Sequence, residues 1–202
     1  LPGLVVDRFG STCVVQISTA GMEIQKDVVI AAIKKVVKPE AIIVKNDSKM
    51  RESEGLDSYI ETALGDPGDT LSFVENGVKF EVPVMGGQKT GWFYDHRFNR
   101  SRLKDYVKGK RVLDLFSYAG GWSIQAACFG AEEVVAVDSS EFALDALVKN
   151  AELNSVQDKV KTIQGDVFTV LKSLIEEGER FDVVVADPPA FIPRRKDIKS
   201  GE

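Results

Sequence analysis

Four aspartates stand in or close to the ends of four successive predicted strands, most of which are apolar runs: Asp114, Asp138, Asp166 and Asp187. Short continuous apolar runs are typical of parallel strands that are covered on both faces. In an open α/β sheet, ligands bind at the carboxyl ends of such strands, so we expect the four carboxylates to share one site. Strand termination and helix capping are the alternative interpretation, which Asp138, Ser139 and Asp166 also fit.

The turn that follows the first of these acids indicates which ligand the site takes. Gly120 and Gly121 allow a tight turn and a close approach of the backbone to a ligand. A dinucleotide site places its first glycine where residues 116–118 (Phe-Ser-Tyr) stand here, which disfavours a nicotinamide dehydrogenase. An acid such as Asp114 repels a pyrophosphate but suits an ammonium group. S-adenosylmethionine, which carries an ammonium and a sulfonium but no phosphate, fits this pattern.

A second acid supports the same ligand. Asp138 ends a β-rich run eighteen positions after Gly120, close to the spacing at which an acid accepts hydrogen bonds from ribose hydroxyls. The sequence therefore predicts two carboxylates side by side, one for an ammonium group and one for a ribose.

The elements that must position these residues form an α/β pattern. In the second part of the chain we predict a strand at 112–116, a helix at 122–130, and strands at 133–137, 159–164 and 181–186. In the first part we predict strands at 4–6, 13–17 and 41–44, a helix at 21–37 and an exposed loop at 45–55. A hairpin turning at Asn76-Gly77 and a helix from about His96 to Val107, capped by Asp95, complete the pattern. The 21–37 helix should present an apolar stripe made of Ile24, Val28, Ala31, Ala32 and Val36.

Composition limits the class of protein. The chain has 202 residues, 44% hydrophobic content and a net charge of −5, which is ordinary for one large or two small globular domains. We find no apolar stretch long enough for a membrane span and no signal-peptide pattern, so we expect a cytoplasmic protein. The two cysteines, Cys13 and Cys128, and one histidine exclude a Cys/His metal cluster and a disulfide framework. We expect both cysteines to be buried small hydrophobes.

The motifs as a set resemble a known family. The segments DLFSYAGGWS, VAVDSS, GDVF and DPPAF resemble the first four motifs of class I S-adenosylmethionine-dependent methyltransferases. The segments LPGLVVDRFG and GQKTGWFYDHRFNR further resemble the bacterial large-subunit ribosomal RNA cytosine-C5 methyltransferases. The resemblance covers essentially the whole chain and implies a Rossmann-like α/β methyltransferase sheet, represented by its first four core strands, preceded by a small α+β domain.

Particular residues acquire roles from this resemblance. It implies that Asp187 orients the flipped target base, with Pro188 and Pro189 fixing the loop and Phe191 offering a stacking surface, although a rigid strand exit is the plainer interpretation of this motif. Cofactor binding is expected from Lys89, Thr90, Gly91, Phe93, Asp95, Arg97, Asp114, Phe116, Ser117, Tyr118, Gly120, Gly121, Asp138, Ser139, Asp166, Val167, Asp187 and Pro188. The family usually has Gln where His96 stands, so we interpret His96 as a surface residue of a first helical turn and not as a catalytic base.

The resemblance also implies what lies outside this chain. The family's nucleophilic cysteine would follow the next strand, so we expect residues 1–202 to be a fragment that is inactive alone. Residues 1–84 would form the small domain with its terminal hairpin, and residues 85–202 the first part of the methyltransferase domain. The expected partner is large-subunit ribosomal RNA, with no membrane and no metal, and the oligomeric state is open.

The acidic net charge places a condition on RNA binding, which usually needs clustered Lys and Arg. Two sets of basic residues can contact phosphate or simply be solvated: Arg97, Arg100, Arg102 and Lys104, and then Arg194, Arg195, Lys196 and Lys199. Two other functions stay open as alternatives: methylation of another RNA position, such as guanine N7 or an exocyclic amine, and a degenerate methyltransferase fold that only binds RNA.

Overall fold

A computed structural model describes residues 1–85, 87 and 89–190 of the chain. It divides into two compact units. The first unit comprises Leu1–Val74 and Phe80–Phe93, and the second comprises Glu75–Lys79 together with the chain from Tyr94 onward. The tip of one hairpin, residues 75–79, therefore groups with the second unit.

The first unit is an α+β unit built on a mixed sheet. Its elements are β1 (Leu4–Phe9), β2 (Thr12–Ile17), α1 (Ala20–Glu23), α2 (Lys26–Val36), β3 (Ala41–Asn46), α3 (Met50–Ser53), β4 (Tyr59–Leu64), β5 (Thr70–Glu75) and β6 (Val78–Pro83). Strands β1 to β4 lie in chain order in one four-stranded sheet, in which only β2 and β3 run parallel. The predicted hairpin is confirmed, because Asn76 and Gly77 both have positive φ, 54° and 84°, between β5 and β6.

The helix predicted at 21–37 is interrupted, and the face predicted to be apolar and packed is the exposed one. α1 and α2 are separated at residues 24–25. The buried positions of α2 are Ile30 and Ile33, which pack on the sheet, whereas Ile24 is 82% exposed and Val36 is 79% exposed. Apolar residues occur on both faces of this helix, so periodicity alone does not determine which face packs on the sheet.

The segment predicted as an exposed loop at 45–55 is exposed at most positions, but it also contains buried polar and charged residues. Lys45 and Asn46 extend β3, and Arg51 is 1% exposed. The Arg51 guanidinium donates hydrogen bonds to the Asp57 carbonyl at 2.8 Å and to the Glu23 carboxylate at 2.9 Å. Polar composition suggested solvent, but a buried charge is tolerated when its hydrogen bonds are satisfied.

The second unit contains a parallel sheet with helical connections. Its elements are α4 (Arg97–Ser101), β7 (Arg111–Leu115), α5 (Gly121–Cys128), β8 (Glu133–Asp138), α6 (Glu141–Leu153), β9 (Val160–Gln164), α7 (Val167–Glu176) and β10 (Val183–Ala186). The strands lie in the order β10-β7-β8-β9, and every neighbouring pair is parallel. Leu113, Val135 and Leu174 are part of the buried cluster between α7 and the sheet. The predicted α/β class is confirmed.

The helix predicted from about His96 to Val107 is replaced by shorter pieces. Two 3-10 turns, Tyr94–His96 and Arg102–Asp105, flank α4. The Ser101 hydroxyl donates to the Phe98 carbonyl at 2.7 Å, a local bond that competes with a longer α-helix. Asp95 lies within the first of these turns and does not cap α4.

No helix in the described part of the chain is long and apolar enough to cross a membrane.

Candidate functional site

The parallel sheet brings the carboxyl ends of four strands, and the acids within or shortly after those ends, into one row. In the order of the sheet these acids are Asp187 after β10, Asp114 in β7, Asp138 at the end of β8 and Asp166 after β9. Asp166 caps α7, because its carboxylate accepts a hydrogen bond from the Thr169 backbone at 2.9 Å. Helix capping therefore explains Asp166, but it does not explain Asp114, Asp138 or Asp187.

Asp114 is a buried acid with an unpaired oxygen. It is 1% exposed, and the Ser123 hydroxyl donates to its Oδ2 at 2.5 Å. None of the described residues donates a hydrogen bond to its Oδ1. Burial, which outweighs the hydrogen bonds from Ser123, raises the pKa of Asp114 to about 7, and the nearby carboxylates of Asp187 and Asp138 raise it further. Such a group fits a cationic partner, which would satisfy the unpaired oxygen and stabilise the charge.

We expect Asp114 to make stability depend on pH between about 4 and 7. Its folded-state pKa of about 7 lies above the ordinary value of 3.8, so in this range the folded state binds the proton more tightly. The resulting stabilisation is complete below the ordinary pKa and is lost as the pH rises through the folded-state value. Urea unfolding of the wild type and Asp114→Asn across this range measures it, since the variant lacks the titrating group. If the difference in unfolding free energy between the wild type and Asp114→Asn does not vary with pH, the raised pKa of Asp114 is contradicted.

The turn after β7 has an unusual backbone. Phe116 and Tyr118 adopt positive φ, 63° and 48°, although neither is glycine, and Gly120 has a φ of 87°. The Ser117 hydroxyl oxygen is buried without a hydrogen-bond partner among the described residues. Strained backbone and an unpaired polar atom together are typical of a binding site that is organised before its ligand arrives.

Gly120 is required at its position for two reasons that can be separated. A Cβ there would lie 2.7 Å from Leu147 and 2.9 Å from Ile124, in a backbone conformation that L-residues rarely adopt. We expect Gly120→Ala to lower the free energy of unfolding by about 2–3 kcal/mol. Gly178→Ala is the matched control, because Gly178 also has positive φ, 76°, with open space around it. Chemical unfolding should show the larger loss for Gly120→Ala, and equal losses would contradict the close packing.

Asp138 orders the same turn and keeps capacity for a ligand. Its Oδ2 accepts from the Tyr118 backbone N–H at 2.8 Å, and its Oδ1 accepts from the Ser140 N–H at 2.9 Å. A carboxylate offers about four lone-pair sites, so each oxygen can accept one more hydrogen bond. The cap of α6 is Ser140, whose hydroxyl accepts from Ala143 N at 3.2 Å, and not the predicted Asp138 or Ser139.

Asp187 is half-buried beside two side chains that sequence reasoning did not connect with it. The Trp122 indole donates to its Oδ2 at 3.1 Å, and His96 Nε2 lies 3.7 Å from its Oδ1. His96 lies in a first helical turn as predicted and its side chain is 31% exposed, but that side chain also faces the Asp187 carboxylate. The one available signal for Trp122 was its place directly after Gly121, at the start of the helix that follows the glycine turn.

The remaining predicted cofactor residues differ in what their side chains do. Thr90 is buried, and its hydroxyl donates to Asp7 at 2.6 Å within the first unit. The Lys89 ammonium lies 4.1 Å from the centre of the Phe93 ring, and Gly91 has a φ of 118°. The first unit contains all four of these residues: Lys89, Thr90, Gly91 and Phe93.

The other predicted residues belong to the second unit. Asp95 and Arg97 are exposed there, as are Ser139 and Pro188. The Val167 side chain packs in the core, so only its backbone is available to a ligand. The structure therefore supports a side-chain role at Asp114, Ser117 and Asp138 more directly than at these positions.

Arg100 fits neither of its two predicted roles, a phosphate contact or a solvated side chain. It is 3% exposed and makes two hydrogen bonds to the Glu75 carboxylate, at 2.6 and 3.1 Å. The second predicted basic set, Arg194, Arg195, Lys196 and Lys199, lies outside the described residues, as does Phe191.

The two cysteines are poor nucleophiles in this fold. Cys13 is buried as predicted, whereas Cys128 is exposed, which corrects the prediction. Surrounding protein raises the pKa of both thiols, so the thiolate fraction at neutral pH is small. Neither position offers an activated cysteine.

The fold and the site define a class of protein. A parallel α/β sheet with acids at adjacent strand ends and a glycine turn after the first strand is the arrangement of a nucleoside-binding enzyme fold. The family model of S-adenosylmethionine-dependent methyltransferases matches residues 45–196. The chain belongs to this family.

Individual relatives agree with this assignment. The chain is 37% identical over 201 residues to "Ribosomal RNA large subunit methyltransferase I" of Cronobacter sakazakii, covering 98% of this chain and 51% of that protein. It is 38% identical to the protein of the same name from Klebsiella pneumoniae, covering 98% of this chain and 50% of that one. The chain therefore spans about half the length of the curated relatives it matches.

Solved structures share the fold. A structure described as a methyltransferase in complex with S-adenosylhomocysteine superimposes with a TM-score of 0.81 at 25% identity, covering 96% of this chain and 50% of that one. A protein from Streptococcus mutans described as S-adenosylmethionine-dependent has a TM-score of 0.81 at 24% identity, covering 98% and 53%.

The residues present fit the cofactor of this family, S-adenosylmethionine. The unpaired Asp114 Oδ1 and Ser117 Oγ are buried polar atoms suited to the ammonium group of the methionine part. Asp138 retains acceptor capacity for ribose hydroxyls beside them.

Proposed function

We propose that the whole protein is an S-adenosylmethionine-dependent methyltransferase that modifies a base of large-subunit ribosomal RNA, with cytosine C5 as the target atom. The observation that carries the proposal is the unpaired, buried oxygen of Asp114 in β7, which precedes the turn that Asp138 orders and lies near the Asp187 carboxylate. The names of the relatives in Cronobacter sakazakii and Klebsiella pneumoniae support the substrate class.

Each of three carboxylates has a distinct role in this proposal. Asp114 accepts from the ammonium group of the cofactor, and Asp138 accepts from its ribose hydroxyls. When bound, S-adenosylmethionine supplies an electrophilic methyl group. Asp187 receives the ring nitrogen or exocyclic amine of an unstacked base, which must leave the base stack to be reached. Pro188 after Asp187 restricts the backbone and limits how far this carboxylate can move.

The nucleophile is expected outside residues 1–202. Cytosine C5 becomes reactive when a thiolate adds to C6, and the raised pKa values of Cys13 and Cys128 make both unsuitable. The family resemblance implies a nucleophilic cysteine after the next strand. As a separate point, we propose that the protein acts in the cytoplasm. Within the second unit, Asp95 and Arg97 are proposed to line the approach to the cofactor.

Transfer of labelled methyl groups tests the proposal directly. The whole protein is incubated with methyl-labelled S-adenosylmethionine and unmodified large-subunit RNA, with small-subunit RNA as the control. We expect label only in large-subunit RNA, and nucleoside analysis should identify 5-methylcytidine. Label in another nucleoside would show that the target atom is not cytosine C5. Absence of any transfer would contradict the proposed enzyme function.

A further inference from the structure

Trp122 makes a direct hydrogen bond to the Asp187 carboxylate. The indole Nε1–H donates to Asp187 Oδ2 at 3.1 Å. His96 Nε2 lies 3.7 Å from the other oxygen, a distance too long for a hydrogen bond. Among the described residues, Trp122 therefore donates a side-chain hydrogen bond to the Asp187 carboxylate, whereas His96 does not.

The indole is itself held by buried groups. The Arg100 guanidinium lies 5.9 Å from the centre of the Trp122 ring, within the range of a cation–π contact. Arg100 in turn makes two hydrogen bonds to Glu75, which is fully buried and also accepts from the Gln125 amide at 2.8 Å. Because this network is buried and hydrogen-bonded, it restrains the indole better than an exposed contact would.

We propose that Trp122 is a positioning residue that fixes the orientation of Asp187 toward the target base. The inference rests on the proposed function, in which Asp187 contacts that base. An ionised carboxylate accepts about four hydrogen bonds, so the indole N–H and a base amine can use it together. A carboxylate already held in one orientation loses less conformational freedom when the base binds, which lowers the barrier to reaction.

The first arm of the test asks whether the hydrogen bond exists in solution. In nitrogen-15 spectra of the whole protein, the indole N–H signal that Trp122→Phe removes belongs to Trp122. We expect Asp187→Ala to shift that signal, while Asp145→Ala, a change at an exposed carboxylate on α6, leaves it in place. An unshifted signal in Asp187→Ala would overturn the inference, whatever the activity of the protein.

The second arm asks whether the bond matters for methyl transfer. Trp122→Phe keeps an aromatic ring and removes the N–H donor. We expect it to lower the single-turnover rate about tenfold, the effect of losing one hydrogen bond to a charged group, with the Kd for S-adenosylmethionine unchanged. Tyr106→Phe, at an exposed ring, should retain the wild-type rate.

The outcomes of the second arm separate this inference from the function on which it rests. A wild-type rate in Trp122→Phe, in a protein that methylates RNA, would overturn the positioning role alone. A rate loss accompanied by an equal loss of cofactor affinity would also overturn it, since the effect would then be on the cofactor site. No transfer by the wild-type protein would overturn the proposed function, and the positioning role with it.

Discussion

Glu75→Ala is expected to lower the free energy of unfolding by about 3–5 kcal/mol, because it leaves a buried guanidinium without its counter-charge. Glu75 is fully buried and Arg100 is 3% exposed, and two hydrogen bonds join them at 2.6 and 3.1 Å. The Gln125 amide, which donates to the same carboxylate, loses its acceptor as well. Urea unfolding followed by circular dichroism measures the change.

A double-mutant cycle distinguishes loss of the ion pair from loss of packing. Glu75→Leu combined with Arg100→Met removes both charges and keeps apolar volume, so the pair of changes should cost less than the sum of the two single changes. Glu81→Ala, at a half-buried residue of β6, is the control for loss of a less buried carboxylate. Additive effects in the cycle would show that the two charges do not stabilise each other.

Asp187→Ala is expected to reduce methyl transfer by the whole protein about 10²- to 10³-fold, because the carboxylate that receives the target base is lost. Asp187 is half-buried after β10, with Trp122 donating to it, and it lies in the same row of strand ends as Asp114. Single-turnover rates at saturating cofactor measure the effect.

Two further measurements locate the effect of Asp187→Ala in the chemical step. The Kd for S-adenosylmethionine should change little, since we propose that Asp114 and Asp138 bind the ammonium and ribose groups of the cofactor while Asp187 binds the target base instead of the cofactor. Asp182→Ala is unsuitable as a control because Asp182 accepts from the Arg111 backbone, so the exposed Asp145 on α6 serves instead. A transfer rate within about twofold of wild type would contradict the role of Asp187.

The parallel sheet is predictable from the sequence because β7, β8 and β10 are short, mainly apolar runs close to an acid, and the mixed strand β9 is followed by Gly165-Asp166. The strand ends of β7 to β10 lie within two residues of the predicted positions. The packed face of α2 is not predictable in this way, because Ile24 and Val36 have the same helical spacing as a core face. Tertiary packing on the sheet selects Ile30 and Ile33 instead.

Buried charges account for one group of features that sequence reasoning missed. Arg51 binds Glu23 from 28 positions away, and Arg100 binds Glu75 from 25 positions away. Polar composition indicates solvent exposure, and the partner that allows burial is visible only once the chain has folded. The contact of Trp122 with Asp187, 65 positions apart, escaped prediction for the same reason.

The candidate site is more accessible to sequence reasoning because its acids lie near the carboxyl ends of strands that share one parallel sheet, where ligands bind. Asp114 and Asp138 were predicted side by side, and β7 and β8 are neighbours in the sheet. The two hydrogen bonds that Asp138 accepts, from the backbone N–H groups of Tyr118 and Ser140, could not be predicted from residue types. The first involves a residue, Tyr118, whose positive φ is unusual for any residue other than glycine.

Calorimetric titration of S-adenosylmethionine into the whole protein and into Asp138→Ala tests the cofactor site most directly. We predict that the wild type binds and that the substitution weakens binding by about 1.5–3 kcal/mol, the range for a hydrogen bond to a charged group. Asp145→Ala should bind like the wild type. Equal affinity for the wild type and Asp138→Ala, or no binding by the wild type, would contradict the cofactor site described here.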